Sequence, residues 1–174
     1  MTWRHDSILS YFFSELKLVI PEGVEMYSDL KGHMINNSVI PQDILVTGGF
    51  GSKPDLVIIS RQTKKIVLLE LTSPLERNLN KAHNYKVDKY TGMERDLEAK
   101  GWTVHLVPFE VGSRGHILKH TKNHITSTLK ELNFKIKHHN KLFQNMSKIS
   151  VLCTFSIFHA YQTKEWVNPP FLKP

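Results

Sequence analysis

Residues 53–76, KPDLVIISRQTKKIVLLELTSPLE, hold two acids suited to metal chemistry. Pro54 and Asp55 open one apolar run, and Glu70 ends the next, with fourteen residues between the acids. A hairpin of that length sets the start of its first strand beside the end of its second. The two carboxylates can then meet at the sheet edge. A hard divalent cation such as Mg²⁺, or Mn²⁺ in its place, takes oxygen ligands and is commonly held by one or two carboxylates with phosphate and water. The same spacing also suits two acids that merely bound a hairpin, Asp55 capping a turn after Pro54 and Glu70 exposed at a strand end.

A helix is expected from Leu75 to Lys100, with Pro74 at its entry and Gly101 at its exit. At about 100° per residue its apolar stripe runs through Leu75, Leu79, Ala82, Tyr90, Met93 and Leu97. Lys86 falls near the middle of that stripe, Lys89 on one edge and His83 on the other. A lysine on a buried face is costly unless it is paired or reaches water. Because the helix follows Glu70 directly, Asp55 and Glu70 are the candidate partners. Two acids and a lysine around a metal suit phosphodiester hydrolysis: the metal lowers the pKa of a bound water and the lysine orients it or offsets developing charge. A structural salt bridge is the alternative.

Three weaker features accompany these residues. Ser113-Arg114-Gly115 opens an expected helix, where free N–H groups either hold a phosphate or are simply capped. His116, His120 and His124 recur every four residues without a nearby carboxylate or cysteine, which suits a solvated basic face better than a metal stripe. Cys153 lies in an apolar run and reads as core.

The elements that must position these groups follow from periodicity. Ile8, Leu9, Phe12, Phe13 and Leu16 mark a first helix, capped by Asp6 or Ser7 and stopped at Pro21. Val24–Ser28 and Ile44–Val46 suit short strands. Asp55–Ile59 and Ile66–Leu71 are apolar runs of the kind buried on both faces of a sheet. Trp102–Phe109 reads as another strand, His116–Leu132 as a basic helix and Ile149–Trp166 as a last helix, while 133–147 has no clear pattern. The result is a mixed α/β domain.

Composition bounds the function. The 174 residues suit one domain, and 40% are hydrophobic, enough for a sizeable core. One cysteine excludes a disulfide framework and a Cys-rich zinc module, and predicts an intracellular protein. The MTWRHDSIL start lacks a secretory pattern, and the best apolar stretch, Ile149–Tyr161, is too short to span a bilayer, so no membrane role is expected. Net charge is +7, and residues 111–150 carry eight basic residues against one acid, an excess equal to that of the whole chain. A basic lobe of this kind suits a polyanion, nucleic acid first, or a solvated helix face.

Pro54-Asp55 followed by Glu70 is similar to the PD-(D/E)XK nuclease motif. The usual pattern puts a lysine two residues after the second acid, where this chain has Thr72; some branches carry that lysine on the next helix, where Lys86 and Lys89 lie. The chain more closely resembles the restriction-like endonuclease domain of site-specific non-LTR retrotransposons. Arg4-His5-Asp6, Lys53-Pro54-Asp55, Glu70 and Lys86-Val87-Asp88-Lys89-Tyr90 carry that resemblance, together with ELTSPLE, AHNYKVDKY, GW and PFEVGSRG, over residues 3–115.

The resemblance implies a restriction-endonuclease-like core, α-β-β-β-α-β, over 1–112, with a basic helical extension over 113–174 packed on the same domain. Asp55 and Glu70 would be the metal ligands and Lys86 and Lys89 the displaced lysines. Arg4 and His5 would lie near the catalytic edge and bind the nucleic acid by meeting a phosphate, and Glu15 is a candidate third carboxylate. Arg114, Lys119 and Lys122 would grip the DNA backbone. The expected activity is that of a Mg²⁺-dependent endodeoxyribonuclease, nuclear, needing no small-molecule cofactor, with a homodimer possible. A silent nucleic-acid-binding module, an RNA nuclease and a salt-bridged structural protein remain as alternatives. The reverse transcriptase and zinc knuckle of such elements are not among these residues, so a stand-alone, a domesticated and an excerpted chain all remain open.

Overall fold

A computed structural model describes residues 2–30, 41–45, 53–167 and 169. The first helix, α1 (Thr2–Lys17), starts before the expected cap. Asp6 and Ser7 lie inside it because their side chains are used elsewhere: the Ser7 hydroxyl donates back to the Trp3 carbonyl (2.8 Å), and Asp6 accepts from His5. Its apolar stripe, Ile8, Leu9, Phe12, Phe13 and Leu16, is buried as the spacing requires.

β1 (Val24–Ser28) is the expected short strand. The expected strand at Ile44–Val46 is instead the helical turn α2 (Gln42–Leu45), as far as Leu45; Val46 lies outside the described residues. Three apolar residues do not separate the two periods, and burial of Ile44 beside Tyr90 and Met93 decides the outcome. β2 (Leu56–Ser60) and β3 (Lys65–Thr72) form the expected hairpin, with Lys64 left-handed (φ 49°) in its turn.

After a 3₁₀ turn at Glu76–Asn78 comes α3 (Leu79–Ala99), four residues later than expected; Leu75 is exposed. The helix runs unbroken through Gly92 and buries Leu79, Tyr90, Met93 and Leu97. β4 (Thr103–Glu110) follows. α4 (Lys119–Glu131) begins later than His116 because Leu118 is extended and Ile117 turns into the core. α5 (His139–Thr163) takes in most of the stretch that showed no pattern. Leu142, Phe143 and Met146 supply its buried face there, hidden in the sequence among Asn140, Lys141, Gln144 and Asn145.

The sheet runs β1-β2-β3-β4, antiparallel for the first two pairings and parallel for β3 with β4. Alternate residues of β2 and β3 face opposite layers. Leu56, Ile58, Val67, Leu69 and Leu71 pack with α1, α4 and α5, while Val57, Ile59, Ile66 and Leu68 pack with α3. Burial on both faces explains why these strands are continuous apolar runs. Residues beyond 112 share the first of these cores through Ile125, Leu129, Met146 and Cys153. Among the described residues no helix is long and apolar enough to cross a membrane.

Candidate metal and nucleic-acid site

The β2–β3 pairing aligns Leu56 with Leu69, so Asp55 stands opposite Glu70 at one end of the sheet. The backbone N–H of Asp55 donates to Glu70 Oε2 (3.2 Å). Lys86 Nζ lies in close contact with Glu70 Oε1, and Lys89 Nζ lies 3.7 Å from the same oxygen. Glu70 is buried, its side chain 4% exposed, whereas Lys86 and Lys89 are 16% and 30% exposed. The structure thus brings Lys86 and Lys89 to the Glu70 carboxylate and sets the Asp55 backbone N–H against the same group. It does so because Glu70 points to the α3 face and α3 presents both lysines one turn apart.

The Asp55 carboxylate is held from the other side. Its Oδ2 accepts from the Leu71 N–H (2.8 Å) and from His5 Nε2 (3.1 Å), while His5 Nδ1 donates to Asp6 Oδ1 (2.9 Å). Burial works to lower the His5 pKa, but hydrogen bonding and charge from Asp55 and then Asp6 outweigh it and raise the imidazole to about 9. At neutral pH His5 is an imidazolium between two carboxylates.

Two further groups fix this end of the sheet. Tyr90 is fully buried; its hydroxyl donates to the Lys53 carbonyl (2.8 Å) and accepts from Lys89 Nζ (2.9 Å), tying the Lys53-Pro54-Asp55 segment to α3. Burial, then the charge of Glu70, pushes its phenol well above the usual range. Arg4 is turned inward rather than outward. It donates through Nε to Ser73 Oγ (2.8 Å), through Nη2 to the Ser73 carbonyl (2.6 Å) and through Nη1 to Thr154 Oγ1 (2.8 Å). It therefore joins α1 to the end of β3 and to α5.

Two carboxylates from neighbouring strands are the donor set Mg²⁺ or Mn²⁺ takes when phosphate and water complete the shell. Thr72, on the same face as Glu70, has a buried hydroxyl with no hydrogen-bond partner among the described residues. Thr72 lies two residues beyond Glu70 and opposite Glu110 in β4, and an orphaned hydroxyl of this kind is one that a water would satisfy. Among the described residues no group of three or more His, Cys, Asp or Glu forms a ready cage. The residues fit a sparsely ligated hard cation and not a closed structural zinc site.

Comparison with family models, curated proteins and solved structures gives no match.

The remaining candidates lie apart from the acids. Arg114 and Lys119 are exposed and Lys122 is half-buried. The 112–115 loop already holds an anion from its own chain: the Arg114 N–H donates to Glu76 Oε1 (2.5 Å) and the Ser113 hydroxyl to Oε2 (3.2 Å). Burial works to raise Glu76, but the Arg114 N–H, its own backbone N–H and Ser113 outweigh it and bring its carboxyl below the usual range. Glu15 lies ten residues beyond His5 on α1, about 15 Å along the helix axis, and lines a surface hollow with Tyr11, Lys137 and Lys141. It is not brought to the acid pair.

A second polar cluster was not singled out from the sequence. Glu110, fully buried at the end of β4, accepts from His83 Nδ1 (3.0 Å) and from the Thr121 hydroxyl (3.4 Å), and His120 meets the His83 ring edge-on. Burial raises the Glu110 pKa, opposed first by His83. A buried acid at a strand end, with a histidine on the facing edge of the next helix, was the available signal. The sequence marks Asp6 as a cap or a motif position and Tyr90 as packing and a motif position; in the structure Asp6 holds His5 against Asp55, and Tyr90 holds Lys53 and Lys89.

Proposed function

We propose that this chain is a Mg²⁺-dependent endonuclease with a restriction-endonuclease-like core, hydrolysing DNA phosphodiester bonds. The observation that carries this reading is the pairing of buried Glu70 with Lys86, Lys89 beside it, at the sheet end where Asp55 stands opposite and donates its backbone N–H to the same carboxylate. The element order α1, β1, β2, β3, α3, β4, with α2 as an insertion, agrees with such a core. Asp55 and Glu70 would hold the cation, which when bound supplies charge neutralisation at the phosphate and a more acidic water. Lys86 and Lys89 keep positive charge beside the acids, where a phosphate oxygen can be met. His5 and the Leu71 N–H fix the Asp55 carboxylate, and Tyr90 fixes the backbone before it. Exposed Arg114 and Lys119, with Lys122, supply backbone contacts that carry affinity but no sequence information.

The test is cleavage of DNA, with RNA in parallel, in Mg²⁺ and in Mn²⁺. Wild type should cut DNA, and Asp55→Ala and Lys86→Ala should lose at least about a hundredfold in rate. Preference for RNA would reassign the substrate.

One observation favours a second reading, a silent nucleic-acid-binding module. Each acid already holds a cation of the chain, His5 on Asp55 and Lys86 on Glu70, and Thr72 stands where the usual lysine would be. Salt-sensitive DNA binding without cleavage in either ion would establish that reading.

A further inference from the structure

The C-terminal half of α5 is apolar on two opposite sides. Its inner side, Ile149 and Cys153, packs in the core with α1. On the far side, Val151, Phe155 and Phe158 follow one another at helical spacing and are 45%, 61% and 60% exposed. Tyr161 (73%) extends the same surface one turn on. A helix apolar all round is ordinarily covered all round.

We propose that this outer face of α5 is the interface of a homodimer, packed against the same face of a second copy. The area fits. With about 200 Å² for a whole aromatic side chain, the four side chains present on the order of 500 Å². A dimer interface of ordinary size takes about 800 Å² from each partner, about 65% of it apolar in homodimers, which is again about 500 Å². A patch of about 500 Å² falls in the range of the largest apolar patch on a soluble monomer, a patch that is often functional.

Charge points to the same occupant. The chain carries +7, so two copies repel over most of their surface. From Ile149 to Thr163 there is no Asp, Glu, Lys or Arg, and the Lys164 ammonium lies over the Tyr161 ring, 5.1 Å from its centre, at the end of the patch. At Val151, Phe155 and Phe158 two such chains meet without opposing like charges, and this part of the face offers no charge for an acidic or basic partner to match. Two antiparallel α5 helices bring Phe155 of one copy against Phe158 of the other in an isologous contact, the commonest symmetry of soluble homo-oligomers. The inference does not rest on the nuclease reading.

The test is the mass of the full chain in solution by sedimentation equilibrium, without nucleic acid, from about 5 to about 200 μM. Wild type should give twice the chain mass within that range. Raising salt from about 0.1 to about 0.5 M should strengthen association, because screening removes repulsion between two cations, whereas association through a bound polyanion would weaken. Phe155→Glu with Phe158→Glu should weaken the dimer at least about a hundredfold. Both positions are exposed, so circular dichroism and Tm should match wild type. A single-chain mass at the highest concentration overturns the proposal, as does a dimer that survives the double substitution. A monomer that dimerises only on removal of residues 170–174 would also overturn it and assign the face to that segment.

Discussion

Lys86→Met separates a metal site from a salt bridge without measuring catalysis. Lys86 sits against a carboxylate that is 4% exposed, and methionine keeps much of the length while removing the charge. Removing one partner of a buried ion pair costs about 3–5 kcal/mol. Here Glu70 keeps the Asp55 N–H at 3.2 Å and Lys89 at 3.7 Å, so the loss should fall near about 2 kcal/mol. For a chain of this size that is a drop in Tm of about 4–8 °C. If Asp55 and Glu70 also hold a cation, the vacated charge favours it. Mg²⁺ at about a hundred times its Kd returns about 2.7 kcal/mol, enough to restore the wild-type Tm. Thermal unfolding of both proteins with EDTA, Mg²⁺ and Mn²⁺ reads the effect. A lowered Tm that neither ion recovers would leave a structural salt bridge and remove the metal from the account. An unchanged Tm in EDTA would refute the burial argument itself.

Three other outcomes follow from the geometry. His5 has its pKa raised to about 9 from 6.5, so its stabilisation is full below about pH 6.5 and is lost as pH rises through 9. His5→Gln should therefore be less stable than wild type at pH 6 by up to about 3 kcal/mol, the gap closing by about pH 10 in urea titrations across pH. Arg4→Lys keeps the charge but cannot reproduce the fork to Ser73 and Thr154; it should lose about 2–3 kcal/mol while leaving the salt dependence of DNA binding unchanged. Gly115 has φ 83°, and a Cβ there would lie 2.7 Å from the Ser147 carbonyl, so Gly115→Ala should cost at least about 2 kcal/mol in chemical denaturation.

The sequence by itself determined which residue types lie on which face of each local element. Alternation in β2 and β3 put Glu70 on one face at a strand end, and the stripe of α3 put Tyr90, Met93 and Leu97 inward with Lys86 among them. These are short-range consequences of two fixed periods, and they survived errors of a few residues in element ends. The polar half of α5 and the turn at α2 were illegible because their burial comes from neighbours far along the chain.

Only the tertiary structure decided the partners. His5 reaches Asp55 across 50 positions, Tyr90 reaches Lys53 across 37, Glu76 fills the 112–115 loop across 38, and Arg4 meets Thr154 across 150. A local period says that a charged group lies at a buried edge. Which opposite group satisfies it there depends on how α1, α3 and α5 dock against the two faces of the sheet, where an unpaired buried charge would be too costly to keep.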